Sequence, residues 1–526
     1  MTRFLSSATR SRLSLATALT FTFAAAGCTV GPDYVRPSLS TAPAYVHQQQ
    51  LQPHDGQPSA PPLDAWWLGF DDPELARLET RALASNLDLV AAWARVDEAR
   101  ATAREAGAAR LPALAADGEA LEQTQSTHSP LGLAGSELPG YRRNQSYEKL
   151  DVGASWELDL AGGLRRNEQA ARAAADAADA QRLGVRVSLA AEVADAYFRV
   201  RSAQARIALT EQQIETDRGL LDLVRYRLAD GLATRRERDQ ANALMLDAQA
   251  TLPPLHVELA TQLNRLDVLM GAQPGAYASE IEHARQDYRV PAIATDATPA
   301  DLLRRRPDVI AAERRLAAAS ARIGVATAEY YPKLSLSGLL GVEAVQPGGA
   351  LFDAAAFQPQ AVLGLHWRLF EFGRIDAEVA RAKGADAEAL AQYRQAMLKA
   401  TEDVENALVS LEQLQAQQAM LTAEVAAHDA ARAAAEEAYK GGAISLVEVL
   451  DEDRELLAAR DALARVHADD ARAAVAAFRA LGGGWRTGAV ADGGAQTQKF
   501  RRSIRNTGQV PGSHEVRRRL LNRLQP

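Results

Sequence analysis

The sequence predicts a mainly α-helical chain that also contributes to a membrane β-barrel, built as an internal tandem duplication. Three observations predict it. Residues 164–229 and 375–440 are two proline-free stretches of equal length. As helix, each would span about 100 Å at 1.5 Å per residue, a rod that an ordinary globular core has no place for. Four short segments alternate apolar and polar side chains with the period of a strand. The motifs of the first half recur in the second at a fixed spacing.

Taken in chain order, Arg3, Arg10 and Arg12 precede an apolar run, residues 13–26, too short to span a bilayer. Residues 1–27 are therefore expected to be a signal peptide. No later stretch reaches about 18 consecutive apolar residues, so no spanning helix is expected after it. Cys28 is the only cysteine, which excludes a disulfide within the chain. Its place in Ala25-Ala26-Gly27-Cys28 suits cleavage before Cys28 and lipidation of its thiol and new amino terminus, although Ala25 stands where a lipobox usually has Leu. Cleavage after Ala26, leaving a spare thiol, is the alternative. Thr29, with no Asp after the cysteine, favours passage to the outer membrane.

Residues 28–63 read as a lipidated linker rich in Pro, Gln, Ser and Ala towards its end. A first repeat is expected over 64–272. Asp72-Pro73-Glu74 opens a helical pattern running to about 109, with Leu75, Leu78, Leu83, Leu87 and Val90 on its apolar side. Strands follow at about 112–124 and 148–160. In the second, Leu150, Val152, Ala154, Trp156, Leu158 and Leu160 alternate with Asp151, Gly153, Ser155, Glu157 and Asp159. The long helix comes next, Asp230-Gly231 breaks it, and a return helix reaches about residue 270, with a kink expected at Pro253-Pro254. A linker, 273–298, leads to a second repeat, 299–482, with strands at about 332–344 and 359–370. The last segment, 483–526, reads as a basic, solvated tail carrying Arg501, Arg502, Arg505, Arg517, Arg518, Arg519 and Arg523.

The repeats align closely. Asp88-Leu-Val-Ala-Ala92 recurs as Asp308-Val-Ile-Ala-Ala312, and Leu111-Pro112 as Tyr331-Pro332, at one common offset. Trp156, Leu158 and Gly162 recur as Trp367, Leu369 and Gly373, and Gly231-Leu-Ala-Thr234 as Gly442-Ala-Ile-Ser445, at a second, shorter offset. The difference falls between the two strands of a copy, so the first copy carries about nine extra residues there.

A net charge of -8 argues against nucleic-acid binding. No metal-ligand spacing, phosphate loop or Gly-x-Ser-x-Gly elbow stands out. No cofactor, metal or catalytic residue is expected, and the chain is not read as an enzyme. Gly482-Gly-Gly484 is read as a helix stop. Four strands in lipid would leave two unpaired edges, each polar group costing several kcal/mol. Small barrels begin near eight strands, so several chains must close one barrel.

In these features the sequence resembles the outer membrane factors, the TolC and OprM type exit ducts of tripartite efflux pumps, in their NodT-type lipoprotein branch. The resemblance rests on Cys28-Thr-Val-Gly-Pro-Asp-Tyr-Val-Arg-Pro37, Trp66-Trp67, Ser155-Trp-Glu-Leu-Asp-Leu160 with Gly162, Arg304-Arg-Arg-Pro-Asp308 and Ala328-Glu-Tyr-Tyr-Pro-Lys333. It continues in Trp367-Arg-Leu-Phe370 with Phe372-Gly373-Arg374, and in Tyr439-Lys-Gly-Gly442 leading to Glu448-Val-Leu-Asp451. It covers about residues 28–485. It implies a homotrimer with a shared 12-stranded barrel in the outer membrane and a long periplasmic helical barrel. It also implies a periplasmic adaptor and an inner-membrane, proton-driven pump as partners, and drugs or other small toxic compounds as cargo. The basic tail departs from the family pattern.

Candidate site residues follow. Gly231, Leu232, Ala233 and Thr234, with Gly442, Ala443, Ile444 and Ser445, form the hairpin tips. Glycine there ends one helix and Thr234 or Ser445 caps the next; the resemblance adds adaptor docking. Val447, Asp451 and Arg454 share one helix face by their spacing of four and three. They read either as a surface ion pair beside a valine or, through the resemblance, as a gate. Trp156 and Trp367 stand at matching strand ends, as membrane-boundary aromatics or as packing residues at the helix junction. Rival readings of the whole chain are a type I protein-secretion duct, a periplasmic coiled-coil scaffold and an envelope enzyme.

Overall fold

The computed structural model describes residues 29–38, 43–47, 61–281, 288–293, 298–345 and 350–486. The expected signal peptide, Cys28 and the tail beyond Arg486 lie outside the described residues. Among these residues, no helix is long and apolar enough to cross a membrane.

The chain divides into two compact units. Of the described residues, the first comprises those within 29–38, 96–178 and 311–394, and the second those within 43–95, 179–310 and 395–486. A 3-10 turn, Leu63–Phe70, precedes α1 (Pro73–Ser85) and α2 (Leu87–Ala108). Then come β1 (Ala113–Thr124), the short α3 (Pro130–Ser136) and β2 (Asn144–Leu158). The long α4 (Gly163–Ala229) turns back into α5 (Arg235–Leu269). After the four-residue α6 (Ala278–Ile281), the second copy runs α7 (Pro299–Arg305), α8 (Pro307–Ala328), β3 (Lys333–Ala344), β4 (Phe357–His366), α9 (Arg374–Lys440) and α10 (Leu446–Ala480). The paired long helices have 67 residues each and their return helices 35 each.

The helical run expected from Asp72 to about 109 is two helices. Asn86 leaves the helical region at φ -63, ψ 131. Its amide donates to Leu269 O at 3.0 Å, and its Oδ1 accepts the Leu89 N–H at 2.9 Å. The same break recurs at the matching place in the second copy, at Arg306 (φ -69, ψ 124), where Pro307 follows. The expected kink at Pro253-Pro254 does not end α5, which continues through both prolines.

In the first unit the four strands form one antiparallel meander in the order β1-β2-β3-β4. Register places Leu150 opposite Val342, Val152 opposite Leu340, Trp156 opposite Leu336, and then Leu336 opposite Leu363 and Leu334 opposite Leu365. These side chains therefore share one apolar face, most of them exposed. The opposite face carries Asp117, Lys149, Asp151, Ser155, Ser337 and Gln360, which line a single concavity. The fourth strand ends at His366, so Trp367 and Leu369 lie beyond it rather than inside the expected 359–370. The last pair is Lys333 with His366, and Pro332, with no N–H to donate, stops the ladder there. At its other end β2 starts earlier than expected, with Asn144 paired to Thr124.

Residues 29–38 lie against the helices of the same unit. Arg166 donates to Val30 O at 3.1 Å and Gly31 O at 3.2 Å, and pairs with Asp33 at 2.8 Å. Tyr34 donates to Glu313 at 2.8 Å. A Cβ on Gly31 would come within 2.4 Å of Gly324 Cα, so the strap fits only as glycine on glycine.

The core of the second unit gathers Trp66, Phe70, Leu75, Leu78, Tyr197, Phe198 and Phe478. Trp66 stacks on Phe478 with ring centroids 5.5 Å apart. The expected inter-repeat linker packs on this core through Ile281, Tyr288 and Ile293. The segment read as the start of the tail is also folded. Gly482 (φ +72) and Gly483 close α10 in a Schellman turn, donating to Arg479 O at 3.0 Å and Phe478 O at 2.8 Å. Gly484 then donates to Leu63 O at 2.7 Å, and Trp485 is buried.

Candidate functional site

Both hairpin tips are built in the same way, at matching places in the two copies. Gly231 and Gly442 each sit at φ +75, where a side chain is strained. Gly231 donates to Leu228 O at 3.1 Å and Leu232 to Arg227 O at 2.7 Å; Gly442 donates to Tyr439 O at 3.0 Å and Ala443 to Ala438 O at 2.9 Å. These are paired Schellman closures. A capping box then opens each return helix. Thr234 accepts the Glu237 N–H at 3.2 Å and Glu237 accepts the Thr234 N–H at 2.6 Å. Ser445 and Glu448 repeat the box. The bonds from Thr234, backbone first and then hydroxyl, hold the Glu237 carboxyl below its ordinary value.

A small apolar core holds the two tips together. Leu220, Leu221 and Val224 of α4 meet Ala241 and Leu244 of α5, Tyr439 of α9, and Leu446, Val449 and Leu450 of α10. Ala233 and Ile444 pack against this core, whereas Leu232 and Ala443 remain exposed. Arg227 lies over the Tyr439 ring, 4.7 Å from its centroid, and donates to Tyr439 O at 3.3 Å. On the outer face of α10, Arg454 pairs with Asp451 at 3.5 Å with the side chains 62% and 64% exposed, and Val447 is half-buried.

Both tryptophans make one equivalent bond. Trp156 Nε1 donates to Arg110 O at 2.9 Å, and Trp367 Nε1 donates to Tyr330 O at 3.0 Å. The two acceptors are equivalent positions of the duplication. Each indole thus ties the sheet to the turn that follows α2 or α8.

Sequence reasoning missed a polar group beneath the tips. Asp453 accepts Arg432 Nε at 2.9 Å, and Asp217 accepts Gln213 Nε2 at 2.8 Å; both carboxylates are buried. It also missed Glu79, fully buried in α1. The signal for the first two is their seam position: Ile214, Asp217, Leu221 and Val224 keep the spacing of a coiled-coil stripe.

Comparisons with known proteins agree with this architecture. The family described as outer membrane efflux protein matches residues 78–272 and 298–483. The pyoverdine export outer membrane protein OpmQ of Pseudomonas putida is 34% identical over 455 residues, 86% of this chain and 94% of that protein. Nodulation protein T of Rhizobium leguminosarum bv. trifolii is 28% identical over 474 residues, covering 88% and 96%. Among solved structures, the outer-membrane channel OprN superposes with a TM-score of 0.79 at 32% identity, covering 87% of this chain and 100% of that one. The chain therefore belongs to the outer membrane efflux protein family and is an outer-membrane exit channel of an efflux system.

Proposed function

We propose that three copies close one 12-stranded barrel from their four-stranded sheets, the apolar faces meeting lipid and the polar faces lining water. The observation that carries this is the sheet itself. It has a continuous apolar face and two edges, β1 and β4, with no partner strand among the described residues. In a bilayer those edges need partners, and a second and third copy supply them.

In this reading the helices continue the duct into the periplasm, and an inner-membrane, proton-driven pump delivers cargo through a periplasmic adaptor. The adaptor docks at Gly231, Leu232, Ala233 and Thr234 and at Gly442, Ala443, Ile444 and Ser445. Val447, Asp451 and Arg454 of the copies meet around the axis as a gate. Cys28 carries the lipid anchor, and Trp156 and Trp367 mark the membrane boundary. The relative named for pyoverdine export favours a small exported molecule over a secreted protein. The test is the mass of the detergent-solubilised protein: three chains support the reading, and a stable folded monomer in membranes overturns it.

A further inference from the structure

The seam that joins the two hairpins beneath the tips carries two acids in its apolar stripes. Along α4 it runs Ile214, Asp217, Leu221, Val224, and along α10 Leu446, Val449, Asp453, Leu456. Asp217 and Asp453 are each only 1% exposed. Asp217 Oδ1 takes Gln213, Asp453 Oδ1 takes Arg432, and the Oδ2 of both has no hydrogen-bond partner. Arg432 also donates to Glu436 at 2.6 Å. Two carboxylates thus share one guanidinium whose charge also reaches Asp217, and two orphan carboxylate oxygens are buried. Such oxygens are costly when charged.

We propose that Asp217 and Asp453 form a proton-operated latch between the two hairpins, holding the tip packed when a proton is bound and loosening it when the proton leaves. The proposal rests on reading the tips as the gated end of the duct. A proton on Asp217 removes one buried charge and turns an orphan acceptor into a donor, with Asp453 Oδ2 the unpartnered acceptor on the second hairpin. Gln213 on its own helix, Asp453 on α10 and Arg432 on α9 act on Asp217, Arg432 being bonded in turn to Glu436, while α5 brings Ala241 and Leu244 to the neighbouring apolar core.

Burial, with the Asp453 charge adding to it, pushes the Asp217 carboxyl up to about 6 against the pull of Gln213 and Arg432. The sign follows from that. The packed tip binds the proton more tightly than a separated tip, where the carboxyl returns towards 3.8. Packing is therefore most favoured below about 3.8 and loses that advantage as pH rises from there to about 6, by about a hundredfold in the packed-to-loosened ratio over the whole window and about tenfold between pH 5 and 7.5. A second acid–base pair, His428 with Glu452 at 3.2 Å, also links α9 to α10 and serves as the control.

The experiment compares wild type, Asp217→Asn, Asp453→Asn and His428→Gln as purified full-length protein at pH 5 and 7.5. Amide hydrogen exchange in residues 214–234 and 439–456, corrected for the intrinsic rate, reads the latch. Conductance in planar bilayers reads the duct. Wild type and His428→Gln should exchange faster and open more at pH 7.5, while Asp217→Asn, neutral at both, should stay protected at both. Asp453→Asn, lacking the neighbouring charge, should shift the transition to lower pH; it stands in if Asp217→Asn fails to assemble. A wild-type pH response in both Asp variants, or none in wild type, overturns the latch. A normal exchange response without conductance in any protein would sink the duct reading alone.

Discussion

Replacing Asp451 or Arg454 with alanine separates two roles for the same pair. Within one chain the partners stand 3.5 Å apart and are more than half exposed. An exposed i,i+3 pair contributes about 0.5 kcal/mol or less, so the fold should hardly register its loss. Around a trimer axis the same side chains would meet those of neighbouring chains. Opposite charges at about 4 Å attract by roughly 1–4 kcal/mol before desolvation, depending on the local dielectric. Three such contacts would hold the ring closed far more firmly than one surface pair steadies a helix. Asp451→Ala and Arg454→Ala should therefore leave the thermal midpoint within error of wild type. They should raise single-channel conductance in planar bilayers and sensitise cells to large antibiotics. Either change breaks the same contact, so the double variant should be little worse than either single one. Wild-type conductance in both single variants, with trimers intact, would refute the gate and return the pair to the helix surface.

Three further outcomes are expected. Cys28→Ser should abolish labelling by a fatty-acid analogue; unchanged labelling would exclude lipidation there. Gly442→Glu or Gly231→Glu should lower drug resistance while trimers persist in the outer membrane. A Cβ at either position meets nothing within 4 Å, so the structural cost is the left-handed backbone alone, about 1–2 kcal/mol; loss of trimer together with resistance would make the effect one of folding. Glu79→Gln should raise the thermal midpoint at pH 7.5 and lose that gain near pH 4. Burial, eased by Arg186, holds the Glu79 carboxyl well above its ordinary value, so the folded state loses stability as pH rises above the unfolded value of about 4. Equal destabilisation at both pH values would contradict this.

Much of the architecture is legible in the sequence because the duplication doubles each signal. The tip glycines, the capping residues and the two tryptophans recur at fixed spacing, and the structure gives the glycines and the tryptophans of each pair the same hydrogen bonds. What hydropathy could not show is where a ladder stops. Alternation continues through Trp367 and Leu369, but the backbone leaves the sheet at His366 because Pro332 has no N–H to offer. Nor does polarity reveal β2 at Asn144, since Asn144, Gln145 and Ser146 show no alternation and are strand only through pairing with β1. The glycines after α10 read as the beginning of a tail, yet Gly484 and Trp485 dock on the fold, a tertiary contact that no local pattern carries. Asp217 is visible as an acid in an apolar stripe, but its burial depends on the second hairpin packing against it.

The central claim, that the sheet is completed by other copies, is tested most directly at its two free edges. One cysteine placed in β1 and one in β4 at matched depth, in Cys28→Ser background, can be oxidised in intact outer membranes and resolved by mass. The account predicts covalent dimers and trimers with the ladder ending at three chains. Cross-links that form only within one chain, or a ladder that ends at two or runs past three, would contradict it.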